Sequence, residues 1–101
     1  MADCCRYCQV HKHETGAVKE VIKENGRYDL IPVEGLIRLA KRYEFGLQKY
    51  PADNWKKGIP KETCINSFFR HFVKYLKGEK DEDHLAACAF WIFALIYYEE
   101  K

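Results

Sequence analysis

From Pro32 onward, apolar side chains return every three or four residues: Val33, Leu36, Ile37, Ala40, Tyr43, Leu47 and Tyr50 share one helical face, while Arg38, Lys41, Arg42 and Lys49 fall elsewhere. The spacing predicts an amphipathic helix over 33–50, opened by a proline suited to a first turn and closed by Pro51. PADNWKKGIP reads as a loop rich in turn residues. A second helix is predicted over 60–76, with Ile65, Phe68, Phe69, Phe72 and Leu76 as its stripe and Gly78 as its C-terminal cap. Acidic residues of EKDED then lead into a third helix over 82–100, where they can cap amides and meet the positive end of the dipole. That helix is apolar nearly all round at its centre, so it is expected to pack between the others. Residues 1–25 form a polar arm without sustained period, ending at the turn pair Asn25-Gly26; Val18, Val21 and Ile22 suffice for a short helical turn between Thr15 and Asn25. No stretch alternates with period two. The expected fold is all-α: an N-terminal arm over 1–25 and a bundle of three main helices over 26–101. The broad apolar faces of so short a chain predict that the core is completed by homo-oligomerisation.

Charge and cysteine content narrow the partners. Against 17 basic residues stand 15 acidic ones, a net charge of +2, which is too even for a surface built to neutralise nucleic-acid phosphates. The five cysteines are an odd number with no hydrophobic leader ahead of them, which predicts a reducing, cytoplasmic setting rather than a secreted disulfide scaffold. The longest apolar stretch, 85–98, is shorter than the about 20 residues of a membrane span, so no membrane association is expected.

Several clusters carry possible chemistry. Cys4, Cys5, Cys8, His11 and His13 offer soft ligands suited to zinc, but the pairs lie closer together than structural zinc sites usually space them, and a thiol-rich tail is the plainer reading. Glu44 stands at the edge of the first apolar stripe, where a carboxylate needs either a basic partner or a cation. Arg70 and His71 lie midway along the second helix with Ser67 one turn earlier; arginine matches phosphate oxygens with a two-pronged fork, and histidine can hold a phosphate, a metal or a proton. Asp81, Glu82, Asp83 and His84 open the third helix, either as capping groups or, with Glu44 and His71, as an oxygen-rich site of the kind Mg²⁺ or Mn²⁺ prefers. No Walker-type glycine loop, dinucleotide fingerprint, His-Glu-x-x-His or serine nucleophile elbow occurs, so any phosphate chemistry falls to side chains and metal.

In ETGAVKE (14–20), GRYDLIPVEGL (26–36), YEFGLQKYPADNWKKGIP (43–60) and SFFRHFVKYLKGEKDEDHLAA (67–87), the chain resembles the bacteriophage dATP/dGTP diphosphohydrolase-like proteins, grouped with the MazG-like all-α nucleotide pyrophosphohydrolases. The resemblance implies an oligomeric helical hydrolase that binds Mg²⁺ or Mn²⁺ and splits a purine nucleoside triphosphate into monophosphate and pyrophosphate, in the host cytoplasm if phage-encoded. The matching positions are Arg27, Tyr28, Asp29, Glu44, Lys49, Tyr50, Asn54, Trp55, Arg70, His71, Asp81, Asp83 and His84. The resemblance assigns Glu44 and Asp83 to catalysis and metal, His71 and His84 to metal or phosphate, and Arg70 and Lys49 to the triphosphate. Arg27 and Asn54 fall to substrate contact, and the indole of Trp55 to the base. Trp91 stands where the family pattern leads one to expect Asn, and Gln48 where an acid is common. The alternative is a non-hydrolysing module that sequesters a nucleotide or nucleotide signal.

Overall fold

The computed structural model describes residues 10–12, 16–20 and 25–101, and the chain divides into two compact units, Met1–Ile31 and Pro32–Lys101. In the first unit, β1 (Val10–Lys12) and β2 (Val18–Glu20) pair antiparallel, with His11 opposite Lys19. This corrects the short helical turn expected between Thr15 and Asn25 at Val18, which lies in a strand; residues 21–24 of that expectation lie outside the described residues. Gly16, at φ +92°, takes a backbone conformation that L side chains rarely adopt, and β-branched Val18 follows in a strand. A 3-10 turn at Tyr28–Leu30 follows, and the Arg27 guanidinium donates from Nε and Nη2 to the two carboxylate oxygens of Asp29 at 2.9 and 2.8 Å. Of the candidate zinc ligands, Cys4, Cys5, Cys8 and His13 lie outside the described residues.

The second unit is all-α: α1 (Val33–Gly46), α2 (Lys61–Leu76) and α3 (His84–Glu100), with α3 packed against both of the others as its apolar circumference requires. Helix α1 stops at Gly46, four residues short of the expected end, and tight turns carry the chain on: the amides of Lys49 and Tyr50 both donate to the Gly46 carbonyl. Glycine is a poor helix former, and Pro51 has no amide with which to continue. Helix α2 ends as its sequence predicts. With Gly78 at φ +80°, the amides of Gly78 and Glu79 donate to the carbonyls of Tyr75 and Lys74 at 3.0 and 3.1 Å, a Schellman closure that satisfies the last orphan acceptors. Helix α3 starts two residues later than expected because Asp83 is its cap, its side chain accepting from the Ala86 amide at 3.1 Å. Asp83→Ala is expected to cost about 1–2 kcal/mol by urea titration, whereas Asp83→Asn, which keeps a capping oxygen, should recover the capping part of that loss. Among the described residues no helix is long and apolar enough to cross a membrane.

The core is made of small residues. Leu39, Cys64, Ala86, Ala87, Cys88 and Ala94 are the buried apolar side chains, while Phe69 and Leu76 are 57% and 67% exposed. The stripe expected to bury α2 is therefore corrected: Cys64, Ser67 and His71, at helical spacing, face the interior, and Phe69, Phe72 and Leu76 face outward. The alanine-lined surface of α3 explains the choice, since small groups on both helices let the backbones come close. On α1 the inward face runs through Leu39, Arg42, Tyr43 and Gly46 rather than through Leu36, Ile37 and Leu47, which are exposed.

Candidate functional site

A cavity of about 590 Å³ opens between the C-terminal half of α1, the loop after it, the middle of α2 and the α3 surface at Phe90 and Trp91. That volume lies in the range of ligand pockets, about 300–1,000 Å³. Its aromatic side is a packed cluster: Trp55 meets Tyr43, Phe90 and Tyr97 edge-on, with centroids 5.9, 6.3 and 4.9 Å apart. The loop is tied to α3 by the Tyr98 hydroxyl, which donates to the Trp55 carbonyl. The loop holds its turn with Asp53 in the left-handed region and Gly58 at φ +103°. These anchors set the half-buried indole in one place along the wall.

The polar side carries Arg42, Lys49, Arg70, Glu44, Glu82 and His71. Arg42 donates to Glu82 at 2.6 Å, and this contact holds the Glu82 carboxyl below its ordinary range. Among the described residues Arg70 and Lys49 have no carboxylate partner, and Glu44 has no basic one. Two unpaired cations beside an apolar wall are the arrangement an anion with a flat hydrophobic group requires.

Behind this surface, α2 and the start of α3 bring two buried imidazoles together. His71 Nδ1 and His84 Nδ1 are 3.0 Å apart, and His84 Nε2 is 2.8 Å from Asp81 Oδ1. The residues are 4% and 2% exposed, so neither ring can turn to water for its hydrogen bonds. Burial, reinforced by the Arg70 charge, pushes the His71 imidazole down to about 4, while the contact with His84 holds Asp81 below the usual carboxylate range. Two overlapping donor groups share His84: one atom each of His71, Glu82 and His84, and one each of Glu79, Asp81 and His84, lie within 4.8 Å of one another. Imidazole with carboxylate suits a divalent ion, so the residues present fit a metal.

An all-α unit with this cavity and donor set has a counterpart in known sequences. The pattern of the family described as "dATP/dGTP diphosphohydrolase, N-terminal" matches residues 15–101. The chain belongs to this family. No curated protein and no solved structure matches it.

The dATP/dGTP diphosphohydrolase N-terminal family match thus covers the whole helical unit, and the positions carried over from the resemblance sort into four places. Glu44, Lys49, Asn54, Trp55, Arg70 and His71 line the cavity. His84 lies directly behind His71. Asp83 does not line the cavity: its two oxygens take 2.8 and 2.5 Å hydrogen bonds from the Arg38 guanidinium while it caps α3. Glu44 and Asp83 are not brought together, and neither belongs to the two donor groups found among the described residues. Arg27 lies in the first unit, bound to Asp29. Sequence reasoning missed Arg42, and it placed Glu82 in the acidic group at the start of α3 without assigning it a role of its own. The one signal available was that Arg42 follows the apolar position Leu39 by a turn and stands next to Tyr43, which puts it beside the buried face.

The depressed His71 value carries a stability prediction for the metal-free protein. The unfolded imidazole takes its proton near 6.5 and the folded one only near 4, so the unfolded state binds more protons between these values. Stability is full above about pH 6.5 and is expected to fall by about 3 kcal/mol as the pH drops to 4. Urea titrations across that window test it, and His71→Gln, which cannot charge, should flatten the decline.

Proposed function

We propose that this chain is a metal-dependent diphosphohydrolase that converts a purine nucleoside or deoxynucleoside triphosphate to its monophosphate and pyrophosphate. The observation that carries the reading is the cavity itself, where unpaired Arg70 and Lys49 face a fixed aromatic wall and His71 and Glu82 link the lining to a metal-capable donor group. Family membership supplies the reaction class.

In this reading the guanidinium of Arg70 grips two phosphate oxygens and Lys49 adds a point charge. Trp55 and Phe90 hold the base, and Asn54 at the loop offers amide contacts to its edge or to the sugar. A divalent ion, Mg²⁺ or Mn²⁺, supplies Lewis acidity to the phosphoryl oxygens and lowers the pKa of an attacking water when bound. Water attacks the α-phosphorus, the bond to the bridging oxygen breaks, and pyrophosphate leaves. In this reading Glu44, a carboxylate of the lining with no salt bridge among the described residues, accepts the proton. Such an enzyme works on the free nucleotide pool of the cytoplasm and assembles from several copies of the chain, a reading supported by the exposed phenylalanines and leucines of its helices.

One observation favours the alternative of a binding module that holds nucleotide without turnover: Glu82 and Asp83 are already held by Arg42 and Arg38. Incubation with a panel of nucleoside triphosphates and Mn²⁺, with products separated by chromatography, decides between them. Monophosphate plus pyrophosphate supports the hydrolase, and nucleotide recovered intact from the protein supports the binder.

A further inference from the structure

The two donor groups are not equivalent, and the hydrogen bonds around His84 distinguish them. His84 Nε2 sits 2.8 Å from a carboxylate oxygen of Asp81, which can only accept, so that nitrogen carries the proton. The neutral ring then has its lone pair at Nδ1, the atom that faces His71 Nδ1 at 3.0 Å. Without an ion, His71 Nδ1 must donate to it. With an ion, His71 need only move its proton to its other nitrogen, a tautomer change that alters no charge and frees both Nδ1 lone pairs, on atoms 3.0 Å apart. Glu82 brings a carboxylate oxygen within 4.8 Å of one ring nitrogen of each histidine, and only one of its oxygens is engaged by Arg42. Asp81 is thereby placed as the outer carboxylate that fixes the tautomer and tilt of a ligating histidine, an arrangement found around most metal-bound imidazoles.

We propose that His71, His84 and Glu82 form a two-histidine, one-carboxylate site that selects a transition-metal ion over Mg²⁺, with Asp81 as its positioning residue. The inference deepens the hydrolase reading by naming the ion's class and its ligands, and it rests on that reading only for what the ion does. Mg²⁺ is a hard cation that takes oxygen ligands and keeps much of its water, so a pair of buried imidazole nitrogens is a poor cage for it. Mn²⁺, Co²⁺ and Ni²⁺ accept imidazole with affinity rising in that order. Two nitrogens and one oxygen also leave coordination positions open for phosphate oxygens and water.

The chain has four histidines, so replacing His11 and His13 by Gln leaves His71 and His84 as the sole imidazoles. Stripped of metal and loaded with Mn²⁺, that variant is expected to show pulsed-EPR modulation from imidazole ¹⁴N, and calorimetry should give Mn²⁺ an affinity at least tenfold above that of Mg²⁺. Asp81→Asn, at an exposed carboxylate, should weaken Mn²⁺ binding by about 10–100-fold while keeping the ¹⁴N modulation. Glu82→Gln should weaken it by at least tenfold. Absence of ¹⁴N modulation, or equal affinity for Mg²⁺ and Mn²⁺, overturns the site, and unchanged affinity in Asp81→Asn overturns the positioning role. Pyrophosphate release supported by Mg²⁺ without nitrogen coupling would sink this inference and leave the hydrolase standing. Nitrogen coupling without turnover would do the reverse.

Discussion

Arg70→Ala is expected to weaken nucleotide binding by about 10–100-fold, the loss typical of a charge-assisted hydrogen-bonding group, and to reduce pyrophosphate release at least as much. The side chain is exposed and has no protein partner among the described residues, so the melting temperature should not fall. Arg70→Lys keeps the charge without the fork and should recover part of the loss. Calorimetry with a non-hydrolysable triphosphate, beside a melting curve of each variant, separates the outcomes. A variant that binds normally removes Arg70 from the site, and one that melts early shows that the residue was structural.

The second large effect concerns assembly. Among the described residues no phenylalanine, tyrosine, tryptophan or branched aliphatic side chain is fully buried in the single chain; the largest that is fully buried is Cys64. Phe69, Val73 and Leu76 on α2 and Ile92, Phe93 and Ile96 on α3 are about half exposed or more, apart from Ile92 at 42%. Burying such a side chain is worth about 1.5–3 kcal/mol, so several of them against a second copy exceed what a stable dimer needs. Light scattering at micromolar concentration is expected to give a dimer or larger. Phe93→Glu should shift it to monomer, lower the association constant at least a hundredfold and cut the melting temperature of the assembly. A wild-type chain that stays monomeric would falsify this.

The three helices were legible because α1 and α2 carry a strong period, α3 a long apolar run, and Pro32, Gly78 and the acid ahead of α3 act where the sequence places them, while α1 ends at Gly46 before Pro51 is reached. Which face of each helix points inward was not legible. Periodicity treats the largest apolar residues as the core, and here the inner faces of α2 and α3 use alanine, cysteine, serine and histidine, leaving Phe69, Phe72 and Phe93 outside. A pattern that a single chain satisfies and one that an assembly satisfies look alike in sequence. The site was half legible for a related reason. Arg70, His71 and Trp55 stand out by residue type, but whether Glu82 or Asp83 faces the cavity depends on where α3 begins, and a two-residue difference there exchanges their roles. The hairpin of β1 and β2 was missed because three-residue strands are too short for alternation to register.

The separations along the chain of the contacts around the site differ sharply, and this bears on the order in which the site forms. His71 meets His84 across 13 positions, whereas Arg42 reaches Glu82 across 40 and Arg38 reaches Asp83 across 45. Closing the shorter loop costs less chain entropy, so the α2–α3 hairpin is the natural nucleus and α1 docks onto it afterwards. The imidazole pair and the neighbouring acids are therefore assembled while the cavity still lacks the wall that α1 supplies. In the finished fold it is Arg42 from α1 that reaches Glu82 beside the imidazole pair, so the side chains that α2 and α3 bring together gain their α1 neighbour last.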